Sequence, residues 1–252
     1  MICLTPSFVI CLGVLFLLLL PLSFARRNRY GLTAWQVVLI LIVLVGVVGV
    51  GGSKLFARIS FGSWFGRKFY GSVFVAPFVL MIMSLILRKR LWEVPDFVAP
   101  LGGVCNMVMK IPCFFDGCSF GIVLYQAGSQ VIRFPSNVFE MCICIVTVVY
   151  FLNLEKKHGE ETQDLRFPMY MIIYGATRYF AGWLRGDPAE LNPYLFWIPA
   201  QRVWPFVDML LGIVLLCLVC YKKYGKMITV REFVSVFKGK TPYCSTIERS
   251  ER

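Results

Sequence analysis

Residues Ala34–Phe56 read AWQVVLILIVLVGVVGVGGSKLF, an apolar run whose only charge is a lysine near its end. A helix needs about 20 predominantly apolar residues to cross the hydrocarbon core of a bilayer. The 252-residue chain as a whole is 58% hydrophobic and 16% charged, whereas soluble domains are about 45–50% apolar. The run therefore predicts a membrane-crossing helix, and the composition predicts an integral membrane protein. The dense glycines predict close approach to a neighbouring helix.

Comparable apolar runs recur along the chain. Including the run quoted above, they are Leu4–Phe24, Ala34–Phe56, Phe69–Leu87, Phe97–Ile111, Asn137–Leu154, Phe167–Leu184 and Val203–Tyr221. We predict an all-α integral membrane domain over residues 1–221, followed by a basic cytoplasmic tail over 222–252. About seven transmembrane helices, with re-entrant or interfacial segments, are expected to surround a lipid-accessible central cavity. Basic residues follow the first run instead of preceding it, which favours a retained anchor over a cleaved signal peptide.

The formal charge of +12 is distributed in short basic runs beside the apolar segments. This pattern is typical of topology signals and of contact with anionic lipid. Most lysines and arginines follow the first, third, fifth and seventh runs, which places the N-terminus outside and the C-terminus in the cytoplasm. No nucleic-acid-binding motif accompanies the charge, so nucleic acid is not expected as a partner.

A polar stretch, Met109–Gly121, reads MKIPCFFDGCSFG and interrupts two apolar segments. Pro112 is expected to break or kink the fourth helix because it cannot donate the helix hydrogen bond. Residues Cys113–Arg133 are predicted to be re-entrant or interfacial, and the short polar segment Glu93–Asp96 to be a turn. Polar groups at membrane depth indicate a functional site.

Arg178 and Arg185 lie seven residues apart, so a helix would place them on one face. A guanidinium stays charged in a low dielectric and can bind a phosphate through two hydrogen bonds. Arg185 could instead snorkel to the interface. Lys110 and Arg133 could complete an anion pocket or act as interfacial anchors.

The acidic residues have competing interpretations. Glu140 at the start of the fifth run could stabilise a helix N-terminus, orient an arginine or position a substrate hydroxyl. Asp96 favours a structural role, and Asp116 favours a turn. Cys113 and Cys118 could be packing residues, a disulfide, or a thiolate activated by Lys110. His158, the only histidine, is predicted on the opposite side, so no metal site is expected.

Several motifs together resemble the prolipoprotein diacylglyceryl transferase family. The segments that carry the resemblance are Tyr70–Ser72, Asp96–Pro100, Lys110–Gly121, Phe134–Glu140, Tyr174–Arg185 and Gln201. Tyr174–Arg185 reads YGATRYFAGWLR and matches the family's Tyr-Gly-x-x-Arg-Phe-x-x-Glu-x-x-Arg motif except at Tyr179, which replaces Phe, and Gly182, which replaces Glu. The resemblance covers the chain from the first run to the seventh.

The resemblance implies an enzyme of the bacterial plasma membrane. A prolipoprotein cysteine would attack the glycerol carbon of phosphatidylglycerol, and glycerol phosphate would leave. It implies an anionic glycerophospholipid and a preprolipoprotein signal peptide as partners, and no cofactor. The chain departs from the family where Lys110 replaces Arg, Cys113 replaces Asn, Cys118 replaces Glu and Tyr70 replaces His.

The resemblance assigns two groups of site residues. The catalytic group is Arg178, Arg185, Tyr70, Cys113 and Cys118. The substrate-binding group is Lys110, Gly117, Gly121, Arg133, Asn137, Glu140, Tyr174 and Gln201. Two alternatives remain open: a same-fold enzyme with another acceptor, such as a glycan or a small thiol, and a non-catalytic phospholipid-binding protein.

Overall fold

The computed structural model describes residues 6–61, 69–115, 121–127, 130–186, 194–195, 198–225 and 228–240. Within these ranges, helices occupy all seven positions predicted from the apolar runs. The helices are α1 (Pro6–Arg26), α2 (Ala34–Ile42), α3 (Ser53–Phe61), α4 (Phe69–Ile86), α5 (Glu93–Val108), α6 (Lys110–Phe115), α7 (Ser136–Lys157), α8 (Arg166–Ala181), α9 (Ala200–Tyr224) and α10 (Val230–Phe237), and the strands are β1 (Val123–Ala127), β2 (Gln130–Arg133), β3 (Tyr194–Leu195) and β4 (Ile198–Pro199).

Four stretches of the described chain are long and apolar enough to cross a membrane. They are Ala34–Ile59, Phe69–Ile86, Ser136–Lys157 and Arg202–Tyr224. Helices α5 and α8 have 16 residues each, or about 24 Å, which is shorter than the hydrocarbon core of about 30 Å. The fold is thus a mostly helical membrane protein, and the crossing of all seven helices stays a prediction.

The first of these stretches is one continuous helix in which the π-helical segment Val43–Gly52 joins α2 to α3. It packs closely on the start of α4, where a Cβ placed on Gly52 would lie 3.0 Å from the Cα of Ser72. The Ser72 hydroxyl donates to the Gly49 carbonyl at 3.0 Å. The close approach predicted from the glycines therefore occurs against α4.

Helices α8 and α9 also cross at glycines. A Cβ on Gly175 would lie 2.5 Å from the Pro205 carbonyl oxygen and 2.6 Å from the Met209 nitrogen. On the α9 side, a Cβ on Gly212 would lie 2.9 Å from the Cβ of Met171. Small residues at such a crossing allow two membrane helices to approach at backbone distance.

The crossing gives a first prediction. Gly175→Ala should destabilise the protein by about 1–3 kcal/mol, since the new methyl group would push against backbone atoms that cannot move independently. Gly13→Ala in α1 is the matched control because nothing lies within 4 Å of its added Cβ. Thermal unfolding in detergent should show a lower midpoint for the first variant only, and equal midpoints would contradict the crossing.

One end of the helical bundle holds a buried polar group of Arg26, Tyr30, Glu155 and Arg166, which we call the Glu155 cluster. Arg26 Nη2 lies 2.5 Å from Glu155 Oε2, and its Nη1 donates to the Phe97 carbonyl at 2.9 Å. Arg166 Nη1 donates to the Tyr30 hydroxyl at 2.5 Å, and that hydroxyl donates to Glu155 at 3.2 Å. Burial raises the pKa of Tyr30, so its phenol keeps the proton that it donates. The cluster joins the ends of α1, α7 and α8.

Asp96 lies beside this cluster and fixes the start of α8. Its carboxylate accepts the backbone N–H of Phe167 at 3.0 Å and that of Asp164 at 2.6 Å. The structural interpretation of Asp96 is therefore supported. The predicted turn at Glu93–Asp96 is wrong, however, because α5 already begins at Glu93. Acidic side chains are favourable in the first turn of a helix, so these residues start the helix instead of preceding it.

The polar stretch also differs from prediction at Pro112. Pro112 does not end the fourth helix, which stops at Val108, and it lies inside the short helix α6. As the third residue of α6 it can be accommodated, since the first backbone N–H groups of a helix have no intrahelical partner.

The fold is not entirely α-helical. Strands β1 and β2 form an antiparallel hairpin with Tyr125 opposite Ile132. The hairpin lies within Cys113–Arg133, the segment that was predicted to be re-entrant or interfacial. β-Branched and aromatic residues in short alternation favour strands. Strands β3 and β4 pair antiparallel as well.

Helix α10 returns to the bundle from the segment predicted as a tail. The Tyr150 hydroxyl of α7 donates to the Phe237 carbonyl at 2.7 Å. Thr229 and Glu232 form a capping box at its start, which satisfies two backbone N–H groups. The predicted boundary between a membrane domain and a cytoplasmic tail stays a prediction.

Candidate active site

Four predicted site residues meet at the end of the bundle opposite the Glu155 cluster. Lys110 begins α6, Glu140 is the fifth residue of α7, Arg178 lies near the end of α8, and Arg185 follows α8. Glu140 and Glu155 are separated along α7 by about 22 Å. We call Lys110, Glu140, Arg178 and Arg185 the Glu140 cluster.

Glu140 is the centre of this cluster. Arg178 Nη1 donates to its Oε1, and the Lys110 ammonium pairs with its Oε2. Arg185 Nη1 lies 3.7 Å from the same Oε1. The four side chains are 5–15% exposed. Three cations therefore contact one carboxylate in a largely buried site.

Arg185 reaches the cluster by a route that differs from the predicted one. Helix α8 ends at Ala181, a 3₁₀ turn spans Gly182–Leu184, and Arg185 is extended with φ −99° and ψ 133°. Arg185 pairs with Gly121 in an isolated antiparallel bridge. The prediction that Arg178 and Arg185 share a helical face is thus wrong, although both side chains face Glu140.

Gly121 holds this bridge in place by its lack of a side chain. A Cβ there would lie 1.9 Å from the Phe134 carbonyl oxygen. Its own carbonyl accepts a hydrogen bond from Arg133 Nη1 of β2 at 3.2 Å. Gly121 and Arg133 therefore support the bridge that holds Arg185, and their predicted contact with substrate stays a prediction.

Two further predicted residues, Tyr174 and Asn137, are buried one helical turn before members of the cluster. Tyr174 lies one turn before Arg178 on α8, with its ring 5.8 Å from Phe69 and 6.1 Å from Tyr170. Asn137 is buried one turn before Glu140 on α7. These positions place both predicted residues next to the cluster.

Tyr70 lies in an aromatic group on α4 and is 4% exposed. Its ring is 6.1 Å from Phe56 and stacks on Trp204 at 6.4 Å. The predicted catalytic role of Tyr70 stays a prediction.

Some predicted site residues cannot be located. Gly117 and Cys118 lie outside the described residues. Cys113 belongs to α6 and Gln201 to α9, but their side chains lie outside the described part of the chain. Their predicted roles are therefore untested.

Two polar positions near the site were not singled out from the sequence. Cys144, one turn after Glu140, accepts a hydrogen bond on Sγ from Asn106 Nδ2 at 3.1 Å. Asp208 of α9 is 1% exposed, and neither carboxyl oxygen has a hydrogen-bond partner among the described residues. Two signals in the sequence could have indicated them: Cys144 lies four residues after Glu140, and Asp208 is an isolated carboxylate in an apolar run.

Metal binding was not expected, and the described residues contain no group of three or more His, Cys, Asp or Glu side chains that could hold a metal ion. His158 lies beyond the end of α7 at the Glu155 end, where its Nδ1 is 3.0 Å from Glu161 Oε2.

Comparison with known proteins identifies the family. The prolipoprotein diacylglyceryl transferase family model matches residues 7–218. Phosphatidylglycerol–prolipoprotein diacylglyceryl transferase 2 of Clostridium perfringens (strain 13 / Type A) is 25% identical over 205 residues, which cover 72% of this chain and 78% of the relative. The transferase of Pasteurella multocida (strain Pm70) is 25% identical over 169 residues, which cover 64% and 62%. Since the family model matches most of its length, this chain belongs to the prolipoprotein diacylglyceryl transferase family.

Proposed function

We propose that this protein transfers the diacylglyceryl group of phosphatidylglycerol to the cysteine thiol of a prolipoprotein and releases glycerol phosphate. The observation that carries the proposal is the Glu140 cluster, in which three cations from separate elements face one carboxylate. Family membership supplies the reaction, and the similar curated proteins bear this activity in their names. The cluster supplies a site for the phosphate.

The reaction needs positive charge at the phosphate. The thiolate sulfur attacks the glycerol carbon, a C–S bond forms, and the bond from that carbon to the phosphate oxygen breaks. The leaving phosphate gains one negative charge as this bond breaks. Preorganised cations in a site that excludes water stabilise such developing charge strongly. Arg178 and Arg185 are suited to this role because a guanidinium stays charged and binds phosphate oxygens in pairs.

Glu140 gives the arginines their positions. Without it, two guanidinium groups and an ammonium would repel one another at short range in a low dielectric. With it, Arg178 is held in place by a charge-assisted hydrogen bond. Glu140 is therefore a positioning residue, and Lys110, Arg178 and Arg185 form the phosphate site.

A nucleophilic cysteine in this protein would not help the reaction. Alkylation of an enzyme thiol by the glycerol carbon would give a thioether, and a thioether sulfur is a poor leaving group. The diacylglyceryl group would then be trapped on the enzyme. We therefore propose direct transfer to the acceptor thiol, with Cys113 and Cys118 outside the bond-forming step.

We also propose that the Glu140 cluster faces the outer side of the bacterial plasma membrane and the Glu155 cluster faces the cytoplasm. The described basic residues at the ends of α1, α4, α7 and α9 lie at the Glu155 end. For example, Lys89 Nζ donates to the Gly31 carbonyl at 2.7 Å, and Lys223 Nζ donates to the Gln163 carbonyl at 2.9 Å. The concentration of basic residues at the Glu155 end agrees with the positive-inside rule if this end faces the cytoplasm.

Complementation tests the function. Bacterial cells depleted of their own transferase should regain lipoprotein maturation when they produce this protein, and purified protein should release glycerol phosphate from phosphatidylglycerol only when a lipoprotein signal peptide with a cysteine is present. Turnover with another acceptor alone would assign a different transferase. Binding of phosphatidylglycerol without any turnover would assign a non-catalytic lipid-binding protein.

A further inference from the structure

Arg202 of α9 is a cation that the proposed phosphate site does not use. Its Cζ atom lies 3.8 Å from the centre of the Trp183 ring, so the guanidinium lies over the indole. Trp183 belongs to the 3₁₀ turn Gly182–Leu184 and is 54% exposed. Arg185 contacts Glu140 two residues later, whereas Arg202 forms no ion pair with any described carboxylate. The Arg202–Trp183 pair is therefore separate from the Glu140 cluster.

The guanidinium of Arg202 carries donors that no described residue uses. Its Nε is buried and has no hydrogen-bond partner among the described residues, while the residue as a whole is partly exposed. Leaving a buried charged donor unpaired is costly. The contact with Trp183 covers a face of the guanidinium, and the N–H donors lie along its edge. The stacked group can therefore still bind an anion in its own plane.

The pair lies where the bundle meets the lipid headgroups. Arg202 is the first residue of the candidate membrane span that ends at Tyr224. The Tyr179 ring of α8 connects the two helices, since its centre is 6.4 Å from Trp183 and 5.9 Å from Phe206. Phe206 is 42% exposed. Exposed aromatic side chains at the end of membrane helices are typical of the interface with water, so lipid headgroups can reach Arg202.

We infer that Arg202 and Trp183 form a second phosphate-binding site, on the lipid-facing side of the contact between α8 and α9. The inference rests on the proposed function, which supplies two phosphates at this end: that of phosphatidylglycerol and that of the released glycerol phosphate. A guanidinium binds phosphate oxygens in pairs. The turn that carries Trp183 joins the helix of Arg178 to Arg185, so a phosphate held here lies beside the Glu140 cluster.

An interfacial anchor is the simpler role for an arginine at this place. An anchor needs a positive charge among the headgroups but no fixed orientation, and a lysine would serve equally well. The stacking of Arg202 on Trp183 fixes the orientation of the donors, which favours a ligand with paired acceptors. In the proposed orientation Arg202 also lies on the outer side, against the positive-inside bias. A bound phosphate accounts for both features.

Binding of phosphatidylglycerol tests the site without turnover. The protein would be placed in phosphatidylcholine nanodiscs that contain a small fraction of phosphatidylglycerol, and native mass spectrometry would count the phosphatidylglycerol molecules that it retains. Arg202→Gln should bind this lipid about tenfold more weakly at one site, since it loses a charge-assisted contact. Trp183→Leu and Arg202→Lys should weaken it in the same direction. Arg29→Gln, the same exchange at the opposite end, should keep the wild-type count.

Glycerol phosphate release then distinguishes the two sources of phosphate. If the lipid is the ligand, Arg202→Gln should raise the phosphatidylglycerol fraction at half-maximal rate about tenfold, with a much smaller change in kcat. If glycerol phosphate is the ligand, the lipid count should stay the same and added glycerol phosphate should inhibit the variant less than the wild type.

Two results would overturn the inference. One is an Arg202→Gln protein with unchanged lipid count and unchanged inhibition, or with losses no larger than those of Arg29→Gln. The other is wild-type behaviour of Arg202→Lys in both assays, which would identify an anchor. A wild-type protein that releases no glycerol phosphate would instead refute the proposed function, and the lipid count would still test the Arg202 site.

Discussion

Arg178→Ala should lower diacylglyceryl transfer by about 100-fold to 1,000-fold, the range seen when one preorganised donor to developing negative charge is removed. The loss should be largest in kcat, since the extra charge on the phosphate appears only as the bond to the glycerol carbon breaks. Arg178 donates to Glu140 from within the cluster, so its removal also releases the carboxylate from one of its partners. Radiolabelled phosphatidylglycerol and a signal peptide would measure the rate.

Two variants control this result. Arg178→Lys keeps the charge but loses the paired donors, so it should have intermediate activity. Arg29→Ala removes an arginine that is 52% exposed and lies 3.5 Å from Glu155 at the other end, and it should leave the rate unchanged. A rate for Arg178→Ala within about threefold of wild type would show that the phosphate binds elsewhere.

Glu155→Ala should destabilise the protein by about 3–5 kcal/mol, because it leaves the Arg26 guanidinium buried without its counter-charge. The side chains of this pair are only 6% and 3% exposed, so water cannot replace the lost carboxylate. The thermal unfolding midpoint in detergent should fall accordingly.

Glu161→Ala is the matched control at the same end of the bundle. Glu161 is 52% exposed and pairs with His158, and exposed ion pairs contribute about 0–1 kcal/mol. Its midpoint should remain close to that of the wild type. Equal effects of the two substitutions would mean that the Glu155 cluster does not stabilise the bundle.

The helices could be predicted because long apolar runs can be recognised directly in the sequence. Runs such as Ala34–Phe56 can only be buried in lipid or protein, and the structure forms helices at all seven of them. The family could also be predicted, since the motif in Tyr174–Arg185 has fixed spacing, and the family model confirms it. The hairpin β1–β2 was missed because its signal is short and lies beside a stretch with strong membrane character.

The sequence predicted which residues belong to the site better than it predicted how they are arranged. Lys110, Glu140 and Arg178 were identified as polar groups next to apolar helices, and the structure brings them together. The place of Arg185 was not predictable from a helical repeat, since α8 ends four residues earlier and a pairing with Gly121 sets its direction. The Glu155 cluster was missed for a related reason: Arg26 and Arg166 resemble topology signals, and only tertiary contacts show that they are buried.

Helix α7 carries a carboxylate bound by arginine near each end, Glu140 at one and Glu155 at the other. It therefore cannot slide along its axis relative to α1 and α8 without separating buried ion pairs. When bilayer thickness changes with lipid composition, this helix cannot shift by itself without breaking a buried ion pair. Hydrophobic mismatch should then be met by tilt of the bundle or by deformation of the surrounding lipid, and the distance between the two ends of the protein should stay the same in thin and thick membranes.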